Sequence, residues 1–203
     1  MRLHLIGLGL AVCLANQCAG QTPAADVPSA VLGSRARRPD EGAIHGGPGS
    51  QFALQVISPR GVALGNIRSV SFFIDAQGAP QQPFRVHLYQ VDKASGIPGT
   101  DLLTPPLIVA APTGGQWFDI DVSTYRIPAP SAGFFVAMEW IESAEKPGTS
   151  GVGLDHVLRP TFEFRKSLTW SYTVGVGWNQ LTLTNSTGRC YNAMIRAEVE
   201  VRK

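Results

Sequence analysis

The chain has 203 residues, 44% of them hydrophobic and 16% charged, with a formal net charge of +2. That length fits one domain of ordinary size, and that apolar share is enough for a packed core rather than a disordered chain. A charge so near balance excludes a strong basic field, so no nucleic-acid partner is expected.

The first twenty residues, MRLHLIGLGLAVCLANQCAG, place Arg2 before a short apolar run from Leu5 to Leu14 and end on small residues. This order predicts a secretory signal peptide over residues 1–20, too short for a membrane span, with cleavage near Gly20. A lipoprotein reading stands beside it. Leu10-Ala11-Val12 precedes Cys13 in a lipobox-like order, although Val is a poor residue before a modified Cys. Cleavage near Gly20 removes Cys13 and Cys18, leaves Cys190 alone and so allows no internal disulfide. It also removes Arg2 and leaves 16 basic against 15 acidic residues. No other run approaches the roughly 20 apolar residues of a membrane helix, so no transmembrane segment is expected in the mature chain.

Residues 21–50 are rich in Pro, Gly, Ala and charge and read as mostly linker, with room for a short strand around Val31. Arg35, Arg37 and Arg38 read as a solvated basic tether, with an anionic surface contact as the alternative.

From Gln51 onward, short segments of period two recur between Gly/Pro turns, and residues 51–203 are expected to form one domain. Side chains alternate across a strand, so each segment assigns its own faces. Phe52, Leu54 and Val56 share one face. Val70, Phe72 and Ile74 share another, opposite Ser69 and Ser71. Phe84, Val86 and Leu88 point inward, with Arg85, His87 and Tyr89 outward. Phe118, Ile120 and Val122 point inward, with Trp117, Asp119 and Asp121 outward. The run Phe134–Ile141 is apolar on both faces, which predicts a central strand covered on both sides. Further strands are expected at Phe162–Phe164, Trp170–Val174, Leu181–Leu183 and Cys190–Val201. In the last, Tyr191, Ala193, Ile195, Ala197, Val199 and Val201 share a face. No segment sustains a helical period, and no internal repeat is found. Nine or ten antiparallel strands predict an all-β, jelly-roll-like sandwich rather than a seven-stranded immunoglobulin fold.

The segments FRVHLYQVDKASGIPGTDLL, GGQWFDIDVS and GFFVAMEWIES carry a resemblance. The chain resembles a β-sandwich domain of bacterial exported proteins, sometimes found beside carboxypeptidase-regulatory-like domains. Gln51 to Glu142 carry most of it, through Phe84-Arg85-Val86, Gly96-Ile97-Pro98-Gly99, Trp117-Phe118 and the Phe135–Trp140 run. The resemblance implies a sandwich fold and export. It implies no catalytic residues, and the regulatory domain itself is not seen in this chain.

Catalytic signatures are missing. Gly148-Thr149-Ser150-Gly151-Val152 lacks the last glycine of a nucleophile elbow, and no H-E-x-x-H, P-loop or G-x-G-x-x-G occurs. No cofactor is expected. Asp155-His156 offers two metal ligands only if a loop turns them together, so no metal site is assigned. Val91–Gly99 lacks the acidic density of a calcium loop and reads as a turn. Asp119 and Asp121 stand two apart on one strand, with Cα atoms about 6.5–7 Å apart. That overlaps a glycosidase carboxyl pair, but no apolar pocket is in view to raise one carboxyl's pKa. Glu139 falls among apolar neighbours and needs a partner, for which Arg85 or Arg68 is the candidate.

The set Arg85, His87, Tyr89, Trp117, Asp119 and Asp121 combines aromatic rings with hydrogen-bonding groups, as a sugar-binding surface does. It forms one surface if strands 84–91 and 117–122 lie in one sheet. The function expected on these grounds is an exported, non-enzymatic module, secreted or at the cell envelope, that binds glycan or an envelope protein. Two alternatives stand beside it. One is a polysaccharide hydrolase using Asp119, Asp121 or Glu139. The other is a structural envelope subunit pairing through an edge strand.

Overall fold

The computed structural model describes residues 27–39, 41–77, 79–142, 151–155, 167–182, 184 and 190–202. The expected signal peptide, the strand at Phe162–Phe164 and His156 lie outside the described residues. Strands form at Ser29–Gly33 (β1), Glu41–Ile44 (β2), Gln51–Val56 (β3), Leu64–Ile74 (β4), Phe84–Val91 (β5), Pro98–Asp101 (β6) and Leu107–Val109 (β7). They continue at Gln116–Asp121 (β8), Phe134–Trp140 (β9), Val152–Asp155 (β10), Thr169–Thr173 (β11), Gly177–Gln180 (β12), Asn192–Ala193 (β13) and Ile195–Val201 (β14). Apart from one short 3-10 turn at Ser123–Tyr125, no helix occurs among the described residues. None is long and apolar enough to cross a membrane.

The strands make two seven-stranded antiparallel sheets. Sheet A runs β1-β14-β4-β10-β13, with β2 on β10 and β8 on β4. Sheet B runs β12-β11-β3-β9-β5-β6, with β7 on β5. The chain changes sheet repeatedly, from β3 to β4, β4 to β5, β8 to β9 and β9 to β10, so sequence neighbours face each other across the core. The fold is an all-β sandwich.

Alternation explains the core. Val70, Phe72 and Ile74 from sheet A meet Phe84, Val86, Leu88, Phe134 and Val136 from sheet B in one buried cluster. Phe72 and Phe84 meet edge to face at 5.4 Å across the two sheets. Each such side chain stabilises the fold by about 1.5–3 kcal/mol relative to exposure. The faces assigned to β3, β4, β5, β8, β9 and β14 from their alternation match the sides they bury. Strand β9 lies between β3 and β5 and is covered on both sides, as its double apolar face predicts.

Three expectations on boundaries need correction. The segment 21–50, read as mostly linker, carries β1 around Val31 and also β2, so the sandwich includes residues from Ser29 onward. Leu32 packs into the main cluster, and a single buried apolar side chain in a Pro/Gly-rich context leaves little periodic signal. Of the strand placed at Leu181–Leu183, Leu181 and Thr182 lie in no strand and Leu183 lies outside the described residues; a strand forms instead at Gly177–Gln180, after a β11–β12 turn in which Gly175 takes a positive φ of 79°. The single strand foreseen over Cys190–Val201 is two, β13 on β10 and β14 on β4, parted at Met194.

Candidate ligand-binding face

Parity alone sends Arg85, His87 and Tyr89 to the outer face of sheet B. The register then sets their neighbours. Arg85 lies opposite Glu139, and His87 opposite Ala137. On the far side of β9, Gln51 lies opposite Glu139 and Ala53 opposite Ala137. Strand β11 adds Tyr172 beside Gln51 and Trp170 beside Ala53, and β12 adds Trp178 beside Tyr172. Asp101 enters from β6, opposite Tyr89.

The polar groups form a chain. Arg85 Nη1 donates to Glu139 Oε2 at 2.7 Å, and His87 Nε2 meets the same oxygen at 2.8 Å. His87 Nδ1 meets Asp101 Oδ2 at 2.7 Å. A ring with hydrogen on both nitrogens serves both carboxylates at once. Burial acts to raise the Asp101 pKa. The hydrogen bond from His87 and those from the backbone N–H groups of Leu103 and Leu88 outweigh it and hold the carboxyl below its ordinary value. Glu139 thus has the Arg85 partner foreseen for it; Arg68 reaches the Val27 carbonyl instead.

The rings form a second chain beside the first. His87 stacks on Tyr89, with centroids 5.1 Å apart and planes 11° apart. Tyr89 meets Trp178 at 5.8 Å and 76°, and Trp178 meets Tyr172 at 5.4 Å and 57°. The small side chains Ala53 and Ala137 leave the space these rings occupy. With Phe135 they floor a minor cluster against which Tyr89, Trp170 and Trp178 pack. Tyr89 Oη donates to Gln51 Oε1 at 2.8 Å. Burial first, then the negative charge of Asp101, pushes the Tyr89 phenol well above its ordinary pKa. Arg85 Nε and Trp170 Nε1 are buried with no hydrogen-bond partner among the described residues.

Trp117, Asp119 and Asp121 lie on β8, which pairs with β4 in sheet A, so the six candidate residues do not share one surface. Alternation fixes a strand's faces but not its sheet, and the chain crosses sheets between β7 and β8. The Trp117 indole is already engaged. Its Nε1 donates to the Ala36 carbonyl at 3.1 Å, Arg196 lies 4.0 Å from its ring centre, and Phe73 meets it edge-on at 5.9 Å. Asp119 faces Arg196 at 3.4 Å, beside a shallow depression lined by Ser69, Ser71 and Glu198. Asp121 accepts from Ser123, whose hydroxyl and backbone N–H hold its carboxyl below the ordinary range. A general acid requires the opposite shift.

Elsewhere, Asp92 accepts from the Ala94 and Ser95 N–H groups and the Ser95 hydroxyl, which closes the Val91–Gly99 turn. No group of three metal-ligating side chains occurs among the described residues. Gln51, Asp101, Tyr172 and Trp178 join the sheet B face without having been singled out in the sequence. Asp101 sits in a Pro-Gly-Thr-Asp stretch that reads as a turn, and Trp178 in a Gly-rich one.

No protein-family model matches the chain, and a search of curated proteins returns no match. Among solved structures, the chain is similar to the cysteine protease and lectin-like domains of Cwp84, a surface layer associated protein of Clostridium difficile. That likeness has a TM-score of 0.49 at 15% identity and covers 75% of this chain and 32% of the other, about a third of its length.

Proposed function

We propose that this chain is an exported, non-enzymatic sandwich module that binds glycan on the outer face of sheet B. The observation that supports the reading most is the contiguous run Tyr172–Trp178–Tyr89–His87 beside the polar groups of Gln51, Arg85 and Glu139. The half-buried rings of Tyr89, Tyr172 and Trp178, backed by buried His87, offer CH-rich sugar faces a surface, and fixed polar groups beside them orient hydroxyls. Of the six candidates, Arg85, His87 and Tyr89 belong to this face. Trp117, Asp119 and Asp121 belong to sheet A, where Trp117 is packed, Asp119 pairs with Arg196 and Asp121 caps a turn. The signal-peptide order of residues 1–20 supports a secreted or envelope location.

A glycan array read with wild type, Trp178→Ala and Trp117→Ala tests the assignment. Trp178→Ala should lose about tenfold in affinity, the equivalent of one aromatic contact, while Trp117→Ala keeps it. Loss confined to Trp117→Ala would move the site to sheet A. Turnover of a bound polysaccharide would make the chain an enzyme, and silence on the array would favour a structural subunit.

A further inference from the structure

We propose that the ligand of the sheet B face is a neutral, soluble glycan chain, held through one or two sugar rings at a time, and that the face turns away acidic polysaccharides and crystalline polymer surfaces. This rests on the glycan reading above and narrows it.

Charge carries the first half. The described groups of either sign that line this face are Arg85, His87, Asp101 and Glu139. Arg85 is bound to Glu139, and His87 lies between Glu139 and Asp101. Even a charged His87 only balances the two carboxylates, and an uncharged one leaves the face negative. Arg85 and His87 already have carboxylate partners, so a uronate or sulfate would have to displace one of them. Tyr89 reports the same field. Its phenol resists ionisation through burial and then through Asp101, with Glu139 adding and Arg85 only partly offsetting. A ligand carboxylate placed there would meet the same repulsion.

Ring geometry carries the second half. A flat crystalline surface engages several rings only when they share a plane. Here Trp178 is inclined 76° to Tyr89 and 57° to Tyr172, so no plane lies flat on Trp178 together with either tyrosine. His87 is parallel to Tyr89 but stacked on it, and so does not extend the platform sideways. Inclined rings instead flank a single strand of sugars, while Gln51 and the Arg85–Glu139 pair meet its hydroxyls.

The test uses the purified protein in native gels cast with soluble neutral polysaccharides (β-glucan, glucomannan, galactomannan) or with acidic ones (alginate, polygalacturonate). Co-sedimentation with crystalline cellulose and chitin completes the set. Retardation in at least one neutral gel is expected, with tenfold weaker or no retardation by the acidic polymers and no pelleting. Glu139→Gln and, independently, Asp101→Asn should raise retardation in the acidic gels by severalfold at low salt. Added salt should erase that gain, because it screens the field. Retardation by the acidic polymers equal to or stronger than by the neutral ones overturns the inference and leaves the glycan reading intact, as does pelleting with cellulose or chitin. Silence with every polymer overturns both.

Discussion

The outer faces of the two sheets start from the same alternating pattern and end differently. On sheet A, Trp117 is closed in by Arg196, Phe73 and the Ala36 carbonyl, and its carboxylates face solvent or cap a turn. On sheet B, Ala53 and Ala137 give the rings space to lean together, and the carboxylates are tied to Arg85 and His87. Pointing outward therefore does not make an aromatic available. What decides is the side chain that shares the face with it: long Arg196, reaching from β14 over Trp117, in one case and the small Ala53 and Ala137 beneath the rings in the other.

The largest expected effect removes both faces together. Phe72→Ala takes a fully buried ring from the core the sheets share and should cost about 3–5 kcal/mol in denaturant unfolding. Glu139→Gln comes next. It leaves Arg85 and His87 with an impaired partner in a half-buried network and should cost about 1–3 kcal/mol. Its counterpart on sheet A, Asp119→Asn, should stay within about 0.5 kcal/mol, because that pair is exposed. Equal costs would erase the contrast between the faces.

Acid gives a finer test. The depressed pKa of Asp101 means that its stabilisation is complete above the unfolded value near 3.9 and is lost as pH falls through the folded value. Thermal melts should show wild type above Asp101→Asn at neutral pH, with the gap closing only below about pH 4. A gap constant down to pH 2 would detach Asp101 from the network. The smallest effect is Trp170→Phe. It removes an indole N–H without a partner at the cost of some contact area, and the melting temperature should move by only a degree or two.

Much of this was legible in the sequence one strand at a time. Alternation alone sends Arg85, His87 and Tyr89 outward, and Glu139 among apolar neighbours calls for a partner such as Arg85. Pairing was not legible. Nothing in residues 116–121 says that they bind β4 rather than a strand of sheet B, so alternation alone groups Trp117 with Tyr89. Gln51 reaches Glu139 across 88 positions of sequence only through the β3–β9 register. Asp101 and Trp178 escaped notice because short strands beside glycines resemble turns, and only long-range hydrogen bonds distinguish the two.

The pairing of β1 with β14 has a mechanical consequence. Ser29 lies opposite Glu200, and Gly33 opposite Arg196, so the chain enters β1 and leaves β14 at the same corner of sheet A. Tension drawn through those two points would load the hydrogen bonds one after another from Ser29↔Glu200 inward, like a zipper, rather than all five pairs in parallel. Pulled this way in a force spectrometer, the domain should yield its first strand at low force while sheet B stays closed.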